Sequence, residues 1–186
     1  MKPLTTKLLI GVGLWLLMAS LHVTSAQTSA DDEPLLKAAF VYNFAKFTRW
    51  PDNTWTEQNA PLVLCTMGSD KLADGLIQLG GKTIQEHPVT TRPLLDDQNP
   101  ETCHLLYIAA SEQPRYKDIL KTMRGKPILT VSELSHFGRT GGIIELYREK
   151  DQTRFIINLG VAREAGLVLS ARLLGMAVVI DNEERP

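Results

Sequence analysis

The chain is 186 residues long, 44% hydrophobic and 22% charged, with a formal net charge of −1. That near-neutral balance argues against a nucleic-acid partner, because phosphate binding needs a clustered positive field. The length suits one domain with a core large enough to stand alone.

Lys2 and Lys7 precede an uncharged, mostly apolar run from Leu8 to Leu21, and the small residues Thr24-Ser25-Ala26 follow. A basic start, a short apolar stretch and small residues before the cut are what a signal peptidase reads, so cleavage is expected after Ala26. Residues 1–26 would then be removed, leaving 160 residues with a formal charge of −3. An uncleaved anchor is the poorer reading: the run spans 14 residues and contains Gly11, Gly13 and Ser20, whereas a spanning helix needs roughly 20 apolar residues.

Residues 27–32 are small and polar and read as a flexible lead, so the folded domain is expected over residues 33–180. Leu36, Phe40, Phe44 and Phe47 recur at helical spacing, which predicts a helix from Glu33 to Arg49, ended by Trp50-Pro51. Beyond the polar loop 52–60, Pro61–Met67 is a continuous apolar run of the kind buried on both faces of a parallel sheet. Ser69 or Asp70 then caps a helix carrying Leu72, Leu76 and Leu79, stopped by Gly80-Gly81. Lys82–Leu94 is β-rich but interrupted by Pro88 and Pro93, and reads as an edge strand or a broken pair.

The alternation continues with a strand over Cys103–Ala109, a helix from Pro114 to Met123 capped by Ser111, a strand over Pro127–Val131, and a short helix opened by Ser132 toward Phe137. The last third differs. Ile143–Arg148 and Thr153–Leu159 flank the tetrad Glu149-Lys150-Asp151-Gln152 and form an antiparallel hairpin. A helical turn over Val161–Ala165 and a final helix from Ser170, with Leu173, Leu174 and Ala177, close the domain, and Asp181–Pro186 is a frayed tail. The expected fold is therefore α/β: one three-layer-like domain with a mostly parallel sheet, a C-terminal antiparallel hairpin and flanking helices.

Chemistry is harder to find. His87, His104 and His136 stand in unrelated segments without metal-ligand spacing, so neither a metal nor a cofactor is expected. Cys103 and His104 cannot form a dyad if adjacent strand residues point to opposite faces. Ser69, Ser111, Ser132 and Ser170 all stand at predicted helix starts, where capping accounts for them. Gly68-Ser69-Asp70 occupies the place where α/β sheets bind anions, but it holds one glycine and an acid that would repel phosphate. The acidic pairs Asp31-Asp32, Asp96-Asp97 and Glu183-Glu184 read as solvated.

Cys65 and Cys103 form an even pair, read first as a disulfide in an exported chain. Both lie in apolar runs, LVLCTM and CHLLYI, where buried free thiols are the alternative. Asn43, Lys46, Asn158 and Arg172 interrupt otherwise apolar segments, so they either knit the hairpin to the helices or line a polar site. Tyr42, Phe47 and Trp50 add amphipathic surface near the first helix.

The segments LLKAAFVYNFAKFTRWP, APLVLCTMGSD, GKPILTVSEL, FGRTGGIIELYRE and TRFIINLGVAREAGLVLSARLLGMA together resemble the YfiR-like family over Leu35 to Val178. The resemblance implies a regulator rather than an enzyme. It implies a periplasmic protein that binds the periplasmic sensor portion of an inner-membrane diguanylate cyclase or other membrane sensor, lowering cyclic-di-GMP and biofilm formation. It further implies sequestration by an outer-membrane lipoprotein, a homodimer, and a redox-sensitive bond between Cys65 and Cys103; a single cysteine pair here leaves no second disulfide. Tyr42, Asn43, Lys46, Arg154, Asn158 and Arg172 are the expected binding residues. A small-molecule binding module serving a sensor kinase or transporter is the second reading. A hydrolase built around His104 or His136 is the third.

Overall fold

In the computed structural model of the protein, residues 33–95 and 98–181 are described. The expected signal peptide, the 27–32 lead, the three acidic pairs and the tail beyond Asp181 lie outside them. In chain order the domain runs α1 (Glu33–Lys46), β1 (Thr48–Arg49), β2 (Leu62–Met67), α2 (Lys71–Ile77), β3 (Thr83–Ile84), β4 (His87–Leu94), β5 (Leu105–Ile108) and α3 (Tyr116–Met123). It continues through β6 (Leu129–Ser132), β7 (Ile144–Glu149), β8 (Gln152–Asn158), α4 (Leu159–Glu164), β9 (Val168–Leu169), α5 (Ala171–Leu174) and β10 (Val178–Ile180).

Eight strands form one sheet in the order β10-β8-β7-β6-β5-β2-β4-β3. Only β3–β4 and β7–β8 pair antiparallel within it. The apolar runs behave as continuous buried strands must, because both faces are covered. Leu62, Leu64, Leu105, Tyr107, Leu129 and Val131 pack toward α1 and α2. Cys65, Met67, Leu106 and Ile108 pack with Tyr116, Leu120 and Met123 of α3 and with Phe137. The α/β expectation, with its mostly parallel sheet and C-terminal hairpin, holds.

Both antiparallel pairs close through two residues of positive φ, Gln85-Glu86 and Lys150-Asp151. Such turns match the right-handed twist of the strands they join. The broken pair expected over 82–94 is thus a hairpin whose second strand also pairs, from Val89 to Leu94, with β2.

Several boundaries differ from expectation. α1 stops at Lys46 rather than Arg49, because Thr48 and Arg49 pair with Leu169 and Val168, and the Thr48 hydroxyl donates to the Phe44 carbonyl. Its buried stripe is Ala38, Val41, Phe44 and Ala45, while Leu36 is exposed. Small residues let the helix approach its neighbour: a Cβ on Gly75 of α2 would meet Pro34 and Ala38. Ser111 caps no helix; it lies in a 3-10 turn, and α3 begins five residues later without a side-chain cap. Ser132 ends β6 rather than opening a helix; its hydroxyl donates to the Ile108 carbonyl and accepts from the Leu134 amide, holding a turn. Strands β9 and β10 went unexpected, being two and three residues long.

Cys65 and Cys103 form a disulfide with Cα atoms 5.8 Å apart. It ties β2 to the connection that crosses back before β5, and the exposed Arg92 guanidinium reaches both sulfurs at 3.8 and 3.6 Å.

Candidate functional site

In open parallel sheets the ligand crevice lies beyond the C-terminal ends of strands whose connections leave to opposite faces. Here those strands are β2, leading to α2, and β5, leading to α3. The crevice is filled from within. Asp70 accepts from the Ala73 amide at 2.8 Å as the cap of α2, from the Tyr107 hydroxyl at 2.8 Å and from the Ala110 amide at 3.0 Å. The Ser111 hydroxyl oxygen accepts from the Ser69 amide. Gly68, at φ +79°, leaves no room for a side chain, since a Cβ there would collide with Ser111 and Glu112.

A fixed carboxylate stands where a phosphate would sit, and it already takes the Ala73 and Ala110 amides. Burial, and then the charge and hydrogen bond of Asp70, push the Tyr107 phenol well above its ordinary range, so it remains a proton donor to that carboxylate. This polar cluster went unread in the sequence because Tyr107 lies 37 residues from Asp70.

The histidines once considered for chemistry are structural in their contacts. His104 accepts the Val63 amide through Nδ1. The backbone N–H of exposed His136 donates to the Glu145 carboxylate, which also takes the Gly138 amide.

The six expected binding residues do not converge. Asn158 is buried: its side chain donates to the Gly138 carbonyl and accepts from the Val161 amide, so it caps α4 and ties the hairpin to the 138–140 turn. Arg154 is exposed on β8, paired at 3.7 Å with Glu149. Its neighbour Phe155 turns inward onto Phe44, 4.9 Å between ring centroids, so Arg154 faces away from α1. Tyr42 is half-buried, its hydroxyl donating to the Thr83 carbonyl. Asn43 and Lys46 do not interrupt a buried stripe as expected; they lie exposed on the outer side of α1, in line with Leu35, Leu36 and Ala39. Arg172 is exposed too, with its guanidinium 5.5 Å above the Phe47 ring.

These last positions adjoin a corner of different character. The small β1–β9 ribbon and the Phe47 carbonyl, which accepts from the Ser170 amide, fasten the end of α1 to α5 and its flanks. Ser170 caps α5 and Leu173 anchors it, as expected. In the sequence flanking that anchor, Val168, Met176, Val178 and Val179 stand 42% to 56% exposed. Val178 and Val179 belong to β10, at the end of the eight-stranded sheet. As strand neighbours they point to opposite faces, and exposed apolar side chains beside an open strand edge are ordinary material for a protein contact. The signal for this corner was present in the sequence as VV, I and M near the C-terminus, but Val178–Ile180 fell between the helix read from Ser170 and the tail read from Asp181 and were given no element.

A model of the YfiR/HmsC-like family matches residues 35–178, from the third residue of α1 to the first residue of β10. The α/β architecture with its filled crevice is thus that of the matched region, and the chain belongs to the YfiR/HmsC-like family.

Proposed function

We propose that the protein is a periplasmic regulatory subunit that acts by docking on the periplasmic portion of an inner-membrane receptor, in its most specific form repressing a diguanylate cyclase and so lowering cyclic-di-GMP and biofilm formation. The family match over residues 35–178 carries this reading. The filled crevice and the exposed apolar corner support docking over catalysis or ligand carriage. Export rests on the expected removal of residues 1–26, and the Cys65–Cys103 bond suits an oxidising compartment.

The docking surface combines the outer side of α1 around Asn43 and Lys46 with the corner formed by Val168, Arg172, Met176, Val178 and Val179. Binding shifts the receptor toward its inactive state by differential affinity, for which about 3 to 5 kcal/mol suffices. An outer-membrane lipoprotein that sequesters the subunit, and a homodimer, complete the scheme. Deleting the gene is expected to raise cyclic-di-GMP, with complementation restoring it. An unchanged level, together with recovery of a different membrane sensor on co-purification, would replace the cyclase with that sensor.

A further inference from the structure

His87 at the start of β4 and His104 just before β5 flank the N-terminal end of the central strand β2, and the loop 51–60 lays Trp55 between them. The indole is stacked on both imidazoles: ring centroids lie 3.7 Å from His87 and 4.5 Å from His104, each at an interplanar angle of 11°. Trp50 stands edge-on to Trp55 and to His104, and its Nε1–H donates to the His104 carbonyl at 3.1 Å. The three stacked side chains are all half-buried.

The two imidazoles are wired differently. His87 Nδ1 lies 2.7 Å from the Ala60 carbonyl, so it must carry its proton and donate. His104 Nδ1 lies 3.0 Å from the Val63 amide, so it must be bare and accept, standing in for a backbone acceptor where the β2–β5 ladder begins. Of the two contacts, only that of His104 requires a bare Nδ1. A proton on His104 goes to Nδ1, sets N–H against N–H and breaks the contact with Val63.

We propose that the His87–Trp55–His104 stack is an acid-sensitive latch: neutral His104 holds the 51–60 loop on the sheet, and proton uptake at its Nδ1 releases the loop while the rest of the domain stays folded. Burial, and secondarily the charge of His87, push His104 down to about 4 from its ordinary 6.5. His87 is the titratable group that acts on it. The nearby carboxylates, Asp52 and Glu57 of the loop and Glu86 of the β3–β4 turn, are exposed, as is Lys82 before β3.

With the loop open, His104 regains its ordinary affinity for a proton. Opening is then favoured about tenfold per pH unit as pH falls from 6.5 to about 4, and it levels off below. The test follows exchange of the Val63 amide in the purified exported protein, corrected for the intrinsic pH dependence of exchange, beside Trp55 fluorescence in a Trp50→Phe background and far-UV circular dichroism. Expected are a tenfold loss of Val63 protection per pH unit in that window, a matching change at Trp55, and an unchanged far-UV signal. His104→Asn, whose amide oxygen accepts from Val63 but does not titrate, is expected to flatten both profiles, and His87→Asn to raise the midpoint. Loss of the far-UV signal together with the fluorescence change would overturn the latch in favour of global acid unfolding, as would a profile unaltered in His104→Asn. If that variant fails to fold, the His104 ring titration followed by NMR in the unaltered chain decides: an imidazole that takes up its proton without any change at Val63 sinks the proposal.

Discussion

The crevice between β2 and β5 and the corner around β10 spend their side chains in opposite ways. At the crevice, Asp70 is taken up by the Tyr107 hydroxyl and the Ala73 and Ala110 amides, and the Ser111 hydroxyl oxygen by the Ser69 amide. At the corner, Val168, Met176, Val178 and Val179 remain half exposed, although apolar side chains gain about 25 cal/mol for each Å² removed from water. The first arrangement lowers the free energy of the isolated fold. The second leaves free energy to be gained only on contact with something else. Substitutions in the first region should therefore appear as stability, and substitutions in the second as binding.

The largest test of that division is the disulfide, which braces the crevice half of the sheet. Replacing Cys65 and Cys103 together by Ala opens a cross-link spanning 38 residues. It should cost about 3 to 4 kcal/mol by equilibrium denaturation, provided the unfolded chain is otherwise unchanged. Asp70→Ala comes next. It removes the α2 cap and leaves the buried Tyr107 hydroxyl and the Ala110 amide without their acceptor, an expected loss of about 3 kcal/mol. A loss below about 0.5 kcal/mol would show that the crevice is open to water and available to a ligand.

His104 supplies a smaller, pH-dependent test. Its folded-state pKa of about 4 lies below the ordinary 6.5, so between these values the unfolded chain binds the extra proton. The contribution is complete above 6.5 and is lost as pH falls to about 4. Discounted for the ring's partial exposure, the loss is about 2 kcal/mol, read as the difference between the unaltered chain and His104→Asn in parallel denaturations at pH 7 and pH 4.

The smallest stability effect is expected at the corner. Val178→Lys or Arg172→Ala should move the denaturation midpoint by no more than about 0.5 kcal/mol. The same variants should weaken co-purification with solubilised membranes, Val178→Lys because a charge buried in an apolar contact is costly, and Arg172→Ala because it removes the guanidinium that stands over Phe47 on the docking surface. A destabilisation of about 2 kcal/mol with binding intact would mark the corner as core rather than interface.

Much of the fold was legible because its signals are local. The apolar runs LVLC, LLYI and ILTV read as buried strands from composition alone, and the polar tetrad Glu149-Lys150-Asp151-Gln152 between two strand-like segments announced the hairpin. Glu33 and Lys37, four residues apart, form an ion pair that spacing would have indicated, although Lys37 also reaches Glu133 beyond β6. The candidate site was less legible. Asn43, Lys46 and Asn158 looked alike as polar interruptions, yet two are exposed and the third is a buried cap, a distinction set by which side of each element faces the core.

The sequence by itself determined the class of structure and its continuous buried strands, because hydrophobic period and turn chemistry act over a few residues, whereas it left the two cysteines open between a disulfide and buried thiols. Only the tertiary structure decided that Asp70 closes the crevice, that Trp55 lies between two imidazoles, and that β9 and β10 are strands. Each depends on partners 17 or more residues apart brought together by sheet order, and a two- or three-residue strand has no period of its own to read.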